Sequence, residues 1–253
     1  MIVRRLGALI ALVGHLGISA FLALAIVVPG ALVVGYLLQL SLLERSLRAG
    51  ELVPLLTTFG LLIVIGNLLQ EVFSPDVHSL DPGRIGPASW RISSSLTLPW
   101  FDALVLGVAV AVLGGLQLLL TRTQIGRSLR ATAEDADTAE LVGVDSRRVY
   151  AIATAIATAT AALAGVFFAM RSTFDPNGGA TQLIYAFEAV VIGGIGSLWG
   201  TLVGGIVLGV AQTIGAQVDP QYFALFGHLV FLAVLIGRAV HQTGALRALR
   251  SAA

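Results

Sequence analysis

Five stretches of this chain, Ala20–Leu43, Leu52–Phe73, Trp100–Leu120, Val149–Met170 and Phe223–Val240, are apolar over about the twenty residues that a helix needs to cross a bilayer. A sixth, Thr181–Gln217, is equally apolar but is broken by Gly193-Gly194-Ile195-Gly196-Ser197-Leu198-Trp199-Gly200. That many glycines do not sit in one straight helix, so the segment reads as two helices joined by a tight or re-entrant break. Leu6–Leu16 is a further apolar run, too short for a comfortable span unless Met1–Arg5 lies in the interface. Only 11% of the residues are charged and 57% are hydrophobic, against about 25% charged in a soluble domain. Such a chain cannot cover a water-facing surface. The fold class is an all-α polytopic integral membrane protein, with about seven transmembrane or re-entrant helices and a broken Gly-rich segment near residues 193–200. One transmembrane domain over residues 1–253 is expected.

The polar stretches set the orientation. The chain has no Lys, so all fifteen Lys+Arg positions are Arg. With the loop 121–148 on the cytoplasmic side, Arg4, Arg5, Arg45, Arg48, Arg122, Arg127, Arg130, Arg147, Arg148, Arg238, Arg247 and Arg250 fall inside. Arg84, Arg91 and Arg171 fall outside. Twelve against three is a strong positive-inside bias, and one span more or fewer in mid-chain would scramble it. Residues 74–99, with Pro75, Pro82 and Pro87, then form an external loop, and Trp90 and Trp100 lie near an interface. Glu44–Glu51 reads as a polar loop, Arg171–Ala180 and Val218–Tyr222 as turns, and Pro29 and Gly30 as a kink in the second apolar segment. The N-terminus mimics a secretory signal without a clear cleavage site, and a short or truncated first membrane helix is the preferred reading.

The stretch Thr121–Tyr150 stands apart. It holds Arg122, Arg127, Arg130, Arg147 and Arg148 together with Glu134, Asp135, Asp137, Glu140 and Asp145, between two spans. Thr132-Ala133-Glu134-Asp135 resembles a capping box with Thr132 as N-cap, Gly143 suits a C-cap, and Asp145 or Ser146 can cap the next span. A short helix over Thr132–Val142 follows, offered to a soluble partner. An ordinary solvated loop obeying the charge rule is the other reading.

Within the spans, Glu188 is ionisable and so a candidate for function by default. A structural role, bonding the broken backbone or lying protonated between helices, competes with it. Gly200–Gly204 and Gly205–Gly209 are consecutive GxxxG motifs, which favour close helix packing. The break at Gly193, Gly194 and Gly196 reads as packing or as the lining of a substrate path. His15 and His228 stand singly in apolar runs, Asn67 and Gln70 suit helix-to-helix hydrogen bonds, and Asp102 lies at a water-exposed membrane end. With no Cys and no ligand pair at helical spacing, no metal site is expected. No nucleophile–base pair, and hence no catalytic residue, is discernible. No basic tract points to nucleic acid.

The run GRSLRATAEDADTAELVGVDSRRVYAIATAIATATAALAGV resembles the cytoplasmic loop and following helix of branched-chain amino acid ABC transporter permeases. AFEAVVIGGIGSLWGTLVGGIVLGVAQ resembles their Gly-rich C-terminal signature, and LLTTFGLLIVIGNLLQEVF is similar to their mid-chain helix. The resemblance covers most of Leu52–Arg238. It implies a multi-pass subunit of an importer in a bacterial cytoplasmic (inner) membrane, surrounded by lipid and paired with a second permease subunit. Cytoplasmic ATP-binding subunits sit below, and a periplasmic or lipid-anchored substrate-binding protein delivers branched-chain or related amino acids. The permease carries no cofactor; ATP belongs to the partners. Arg130, Glu134, Asp135, Glu140 and Gly143 carry over as ATPase-coupling candidates. Family members begin with a further helix and an Asn-x-Ala-His-Gly motif, absent before Met1 here, so a late start or a truncation is expected. Their Arg-Pro-x-Gly-Leu appears here only as Arg238-Ala239-Val240-His241-Gln242-Thr243-Gly244-Ala245-Leu246. The alternative is an ATP-independent secondary transporter or channel using Glu188, in which the 121–148 loop has no task.

Overall fold

A computed structural model describes residues 20–50, 52–73, 89–91, 97–173 and 178–251. The short apolar run Leu6–Leu16, His15 and most of the external loop 74–99 lie outside them. Among the described residues, six helices are long and apolar enough to cross a bilayer, and Gly178–Gly193 is a shorter apolar one. The chain forms two compact units, Met1–Asn177 and Gly178–Ala253.

In the first unit, α1 (Ala20–Leu38) runs unbroken through Pro29 and ends in a π-helical turn, Gln39–Leu43. Helix continues as α2 (Glu44–Ala49) to Gly50, whose φ of 140° stops it. The polar loop expected over Glu44–Glu51 is therefore helical through Ala49: Ser46 donates its hydroxyl to the Leu43 carbonyl at 2.7 Å, so its side chain bonds inside the helix. Next comes α3 (Val53–Phe73), apolar on all sides, with Leu55, Leu56, Phe59, Ile63 and Val64 all exposed. Such a helix needs lipid or a partner around it. Asn67 on α3 bonds the Ile63 carbonyl of its own helix at 2.8 Å and is exposed, rather than bridging to a neighbour as expected. The strands β1 (Ser89–Arg91) and β2 (Thr97–Pro99) pair antiparallel, with Trp90 opposite Leu98, and lead into α4 (Trp100–Arg122). After α5 (Gln124–Glu134) and α6 (Ala136–Leu141), the long α7 (Ser146–Arg171) closes the unit.

The low-complexity AIATAIATAT run explains the packing of α1 on α7. Ala151, Ala155 and Ala159 are buried at every fourth residue, a ridge of small side chains that brings α1 close. Opposite it, a Cβ on Gly35 would lie 2.6 Å from the Thr158 hydroxyl. One turn on, the buried Gln39 accepts a hydrogen bond from Thr154 at 2.8 Å. Phe101, Val166, Phe167 and Met170 form the apolar cluster where the start of α4 meets the end of α7. Above it, Arg171 pairs with Asp102 at 3.0 Å. Asp102 stands in the first turn of α4 and Arg171 in the last turn of α7, where each helix dipole favours the charge.

The second unit is α8 (Gly178–Gly193), α9 (Leu198–Val218) and α10 (Tyr222–Ser251). The last apolar span, Tyr222–Val240, ends at Val240 as expected, and the helix itself runs on to Ser251 because Gln242 to Arg250 contains strong helix formers and no proline.

Candidate functional site

The charged stretch between α4 and α7 folds differently from the expected Thr132–Val142 helix. Thr132 is not an N-cap: it is buried inside α5, with its hydroxyl unpartnered. The helix starts eight residues earlier because Thr123 serves two ends at once. Its hydroxyl donates to the Leu119 carbonyl of α4 at 2.7 Å and accepts the Gly126 N–H of α5 at 3.1 Å. Gly126 permits the sharp turn, since a Cβ there would strike the Leu120 backbone.

Asp135 is the real cap. Its extended backbone (φ −157°, ψ 107°) ends α5, and its carboxylate accepts the N–H groups of Asp137 at 3.0 Å and Thr138 at 3.2 Å. Bonds from Thr138, its hydroxyl first and its N–H next, hold the Asp135 carboxyl below its ordinary value of 3.8. A depressed carboxyl stabilises the fold above its unfolded value, and that support is lost as pH falls through the folded one. Asp135→Ala is therefore expected to fray α6, as faster amide exchange at Thr138 and Ala139. Wild type acidified below the folded value does the same after correction for intrinsic rates, while Asp135→Asn, which keeps an acceptor, exchanges slowly. Unchanged exchange in Asp135→Ala would remove the capping role.

The other end of α6 closes as expected at Gly143. Its φ of 87° is open to glycine, its N–H bonds the Glu140 carbonyl at 3.0 Å, and the Val144 N–H reaches Ala139 at 3.1 Å. Asp145 then caps α7 through the Arg148 N–H at 3.1 Å. Ala139 and Ser146 are buried, and the Ser146 hydroxyl reaches the Ala136 carbonyl at 3.4 Å, tying α6 to the root of α7. The outcome is a short platform on which Arg130, Glu134, Asp135, Glu140 and Gly143 are all exposed. Leu141 and Val142 are exposed as well, at 87% and 77%. Sequence reading passed over this apolar pair, although its place beside the C-cap glycine could have marked it.

In the second unit the glycine-rich break is a turn, Gly194–Ser197. Gly194 and Gly196 have φ of 102° and 91°, and the Ser197 N–H bonds the Gly194 carbonyl at 3.1 Å. Ser197 caps α9 by accepting the Gly200 N–H at 3.0 Å. Gly193 and Gly200 touch backbone to backbone, and a Cβ on Gly204 would land on the Ala189 carbonyl and 2.7 Å from the Gly193 nitrogen. A Cβ on Gly205 only reaches ordinary contact with Ala189, and Gly209 meets nothing within 4 Å, so the two GxxxG motifs are not equivalent within this unit. Gly193 is thus a point of helix contact. Arg238 on α10 donates to the Ile192 carbonyl at 3.0 Å, satisfying an orphan acceptor at the end of α8.

Glu188 on α8 is buried, and its carboxylate meets His228 Nδ1 on α10. His228 is therefore not solitary: its partner lies 40 residues away in sequence, beyond any helical spacing. Among the described residues no group of three His, Cys, Asp or Glu is placed to hold a metal.

The family model for the branched-chain amino acid transport system permease component matches residues 3–237. The high-affinity branched-chain amino acid transport system permease protein BraD of Pseudomonas aeruginosa is 34% identical over 87% of this chain and 72% of its own length. The corresponding protein LivH of Escherichia coli K12 is 30% identical over 92% of this chain and 75% of its own. The fructose import permease protein FrcC of Rhizobium meliloti is 34% identical over 50% of this chain and 38% of its own. No solved structure matches. With a membrane-spanning helical fold and these relatives, the chain belongs to the permease-component family of branched-chain amino acid transport systems, the membrane subunits of ABC importers.

Proposed function

We propose that this chain, paired with a second permease subunit, moves branched-chain or related amino acids inward across a bacterial cytoplasmic membrane. The observation that carries the coupling is the α5–α6 platform, capped at both ends, fastened to α7 and exposing charged and apolar side chains together. Leu141 and Val142 are exposed side by side at its end, an apolar pair that a docked partner would cover. In this reading a cytoplasmic ATP-binding subunit docks there, with Arg130, Glu134 and Glu140 supplying charge and Leu141 and Val142 the apolar contact. Asp135 and Gly143 hold the platform's shape. A binding protein delivers the substrate from outside. ATP binding closes the ATPase pair, pushes the platform, and shifts the spans between outward and inward states of different substrate affinity. The permease performs no covalent step.

The test is uptake. The chain is expressed with the ATPase subunits, second permease and binding protein encoded beside it, in cells lacking their own leucine transporters. ATP-dependent accumulation of labelled leucine or a related amino acid is expected, and it disappears when the ATPase is omitted. Accumulation without the ATPase would favour a secondary carrier and overturn the proposal.

A further inference from the structure

The second unit buries a carboxylate and turns its partner outward. Glu188 has a side chain 4% exposed, whereas that of His228 is 49% exposed. Because Glu188 Oε1 holds Nδ1, the imidazole is fixed with Nε2 on the far side of the ring. Tyr185, one turn before Glu188 on the same face of α8, stacks on His228 with centroids 6.2 Å apart at 27°. Tyr185 is braced in turn by Phe223, edge-on at 6.3 Å. The second carboxylate oxygen, Oε2, is buried with no partner. On α10, His228 is flanked at helical spacing by Leu225 and Leu232, both about half exposed at 47% and 51%. Ionisable side chains inside membrane spans face protein or water-filled paths and not lipid. On this surface the imidazole stands between two exposed apolar side chains.

We infer that His228, oriented by Glu188 and stacked on Tyr185, is a contact for the charged head of a small zwitterionic solute crossing the transporter. The inference rests on the importer reading above. Nε2 accepts from an ammonium group when the ring is neutral and donates to a carboxylate when it is charged, so it can meet either end of the solute. Leu225 and Leu232 give an apolar side chain a surface to slide along. Glu188 is a positioning residue, reaching the solute only through the imidazole.

The chain contains no cysteine, so His228→Cys supplies a single thiol. In the complete transporter in membrane vesicles, a charged methanethiosulfonate reagent is the probe, read as a mass shift on this chain. Modification is expected, slowed about tenfold when leucine-loaded binding protein is present at saturation. In cells, His228→Leu is expected to lower leucine uptake about tenfold or more, the size of one lost hydrogen bond to a charged group. Glu188→Gln, which keeps an acceptor for Nδ1–H, retains more uptake than Glu188→Leu, a ranking that a purely space-filling role does not produce. A thiol at 228 that stays unmodified in the assembled transporter overturns the inference. So does wild-type uptake by His228→Leu, or loss of the second permease from that variant, which would make the imidazole a subunit contact. If the wild-type complex captures its ATPase but accumulates no amino acid, the importer reading fails on its own, and the thiol reaction still decides whether this surface opens to water.

Discussion

Gly204→Leu is expected to prevent the second unit from folding, whereas Gly209→Leu, five residues along the same helix, leaves it intact. Both glycines belong to GxxxG motifs, but only Gly204 lies where α8 and α9 touch. Its Cβ would land on the Ala189 carbonyl and within 2.7 Å of the Gly193 nitrogen, while one on Gly209 meets nothing within 4 Å. Overpacking a core commonly costs about 1–3 kcal/mol because neighbouring side chains shift. At Gly204 the obstacle is backbone, which cannot rotate aside, so the two helices must part along their length. The turn Gly194–Ser197 and the Arg238 bond to Ile192 then lose their geometry too. The readout is the yield of monodisperse protein in detergent and its thermal unfolding. Equal behaviour of the two variants would mean that α8 and α9 do not meet as described.

A second large effect is expected on the platform. Replacing Leu141 and Val142 by Ser, together with Glu134→Arg and Glu140→Arg, should leave the permease folded yet reduce ATPase capture about a hundredfold or more. Burying one large apolar side chain contributes about 1.5–3 kcal/mol, and two of them reach a hundredfold on that ground alone. The charge reversals add repulsion against any basic face that the acidic residues meet. All four side chains are exposed. Folding is checked by the same thermal unfolding. Full capture by the quadruple variant would place the ATPase elsewhere.

The spans were legible because hydrocarbon leaves a helix little choice: about twenty apolar residues in a row suffice to locate it. Ends were harder to read. Ala49 and Gln242–Arg250 stay helical because nothing breaks them, and polarity alone does not end a helix. In the charged stretch, Thr132 and Asp135 both have N-cap chemistry, and only the packing of α5 decides between them by burying Thr132. Long-range pairs were out of reach. Glu188 with His228 and Arg171 with Asp102 join residues that no helical spacing connects, and a lone histidine in an apolar run has no signature of its own. The glycine motifs named the right helix without its orientation, since Gly204 and Gly205 differ by one position and point to different surroundings.

An ATP-binding subunit docked on α6 would lie against position 142. Since the chain has no cysteine, Val142→Cys introduces one outward-facing thiol on the platform, and a short bifunctional maleimide can join it to whatever protein lies against it. In membranes containing the co-expressed transporter, a covalent adduct of this chain with the ATPase subunit is expected, its yield changing when ATP is added. An intact, ATPase-containing complex that gives no adduct from position 142 in either nucleotide state would contradict docking on α6.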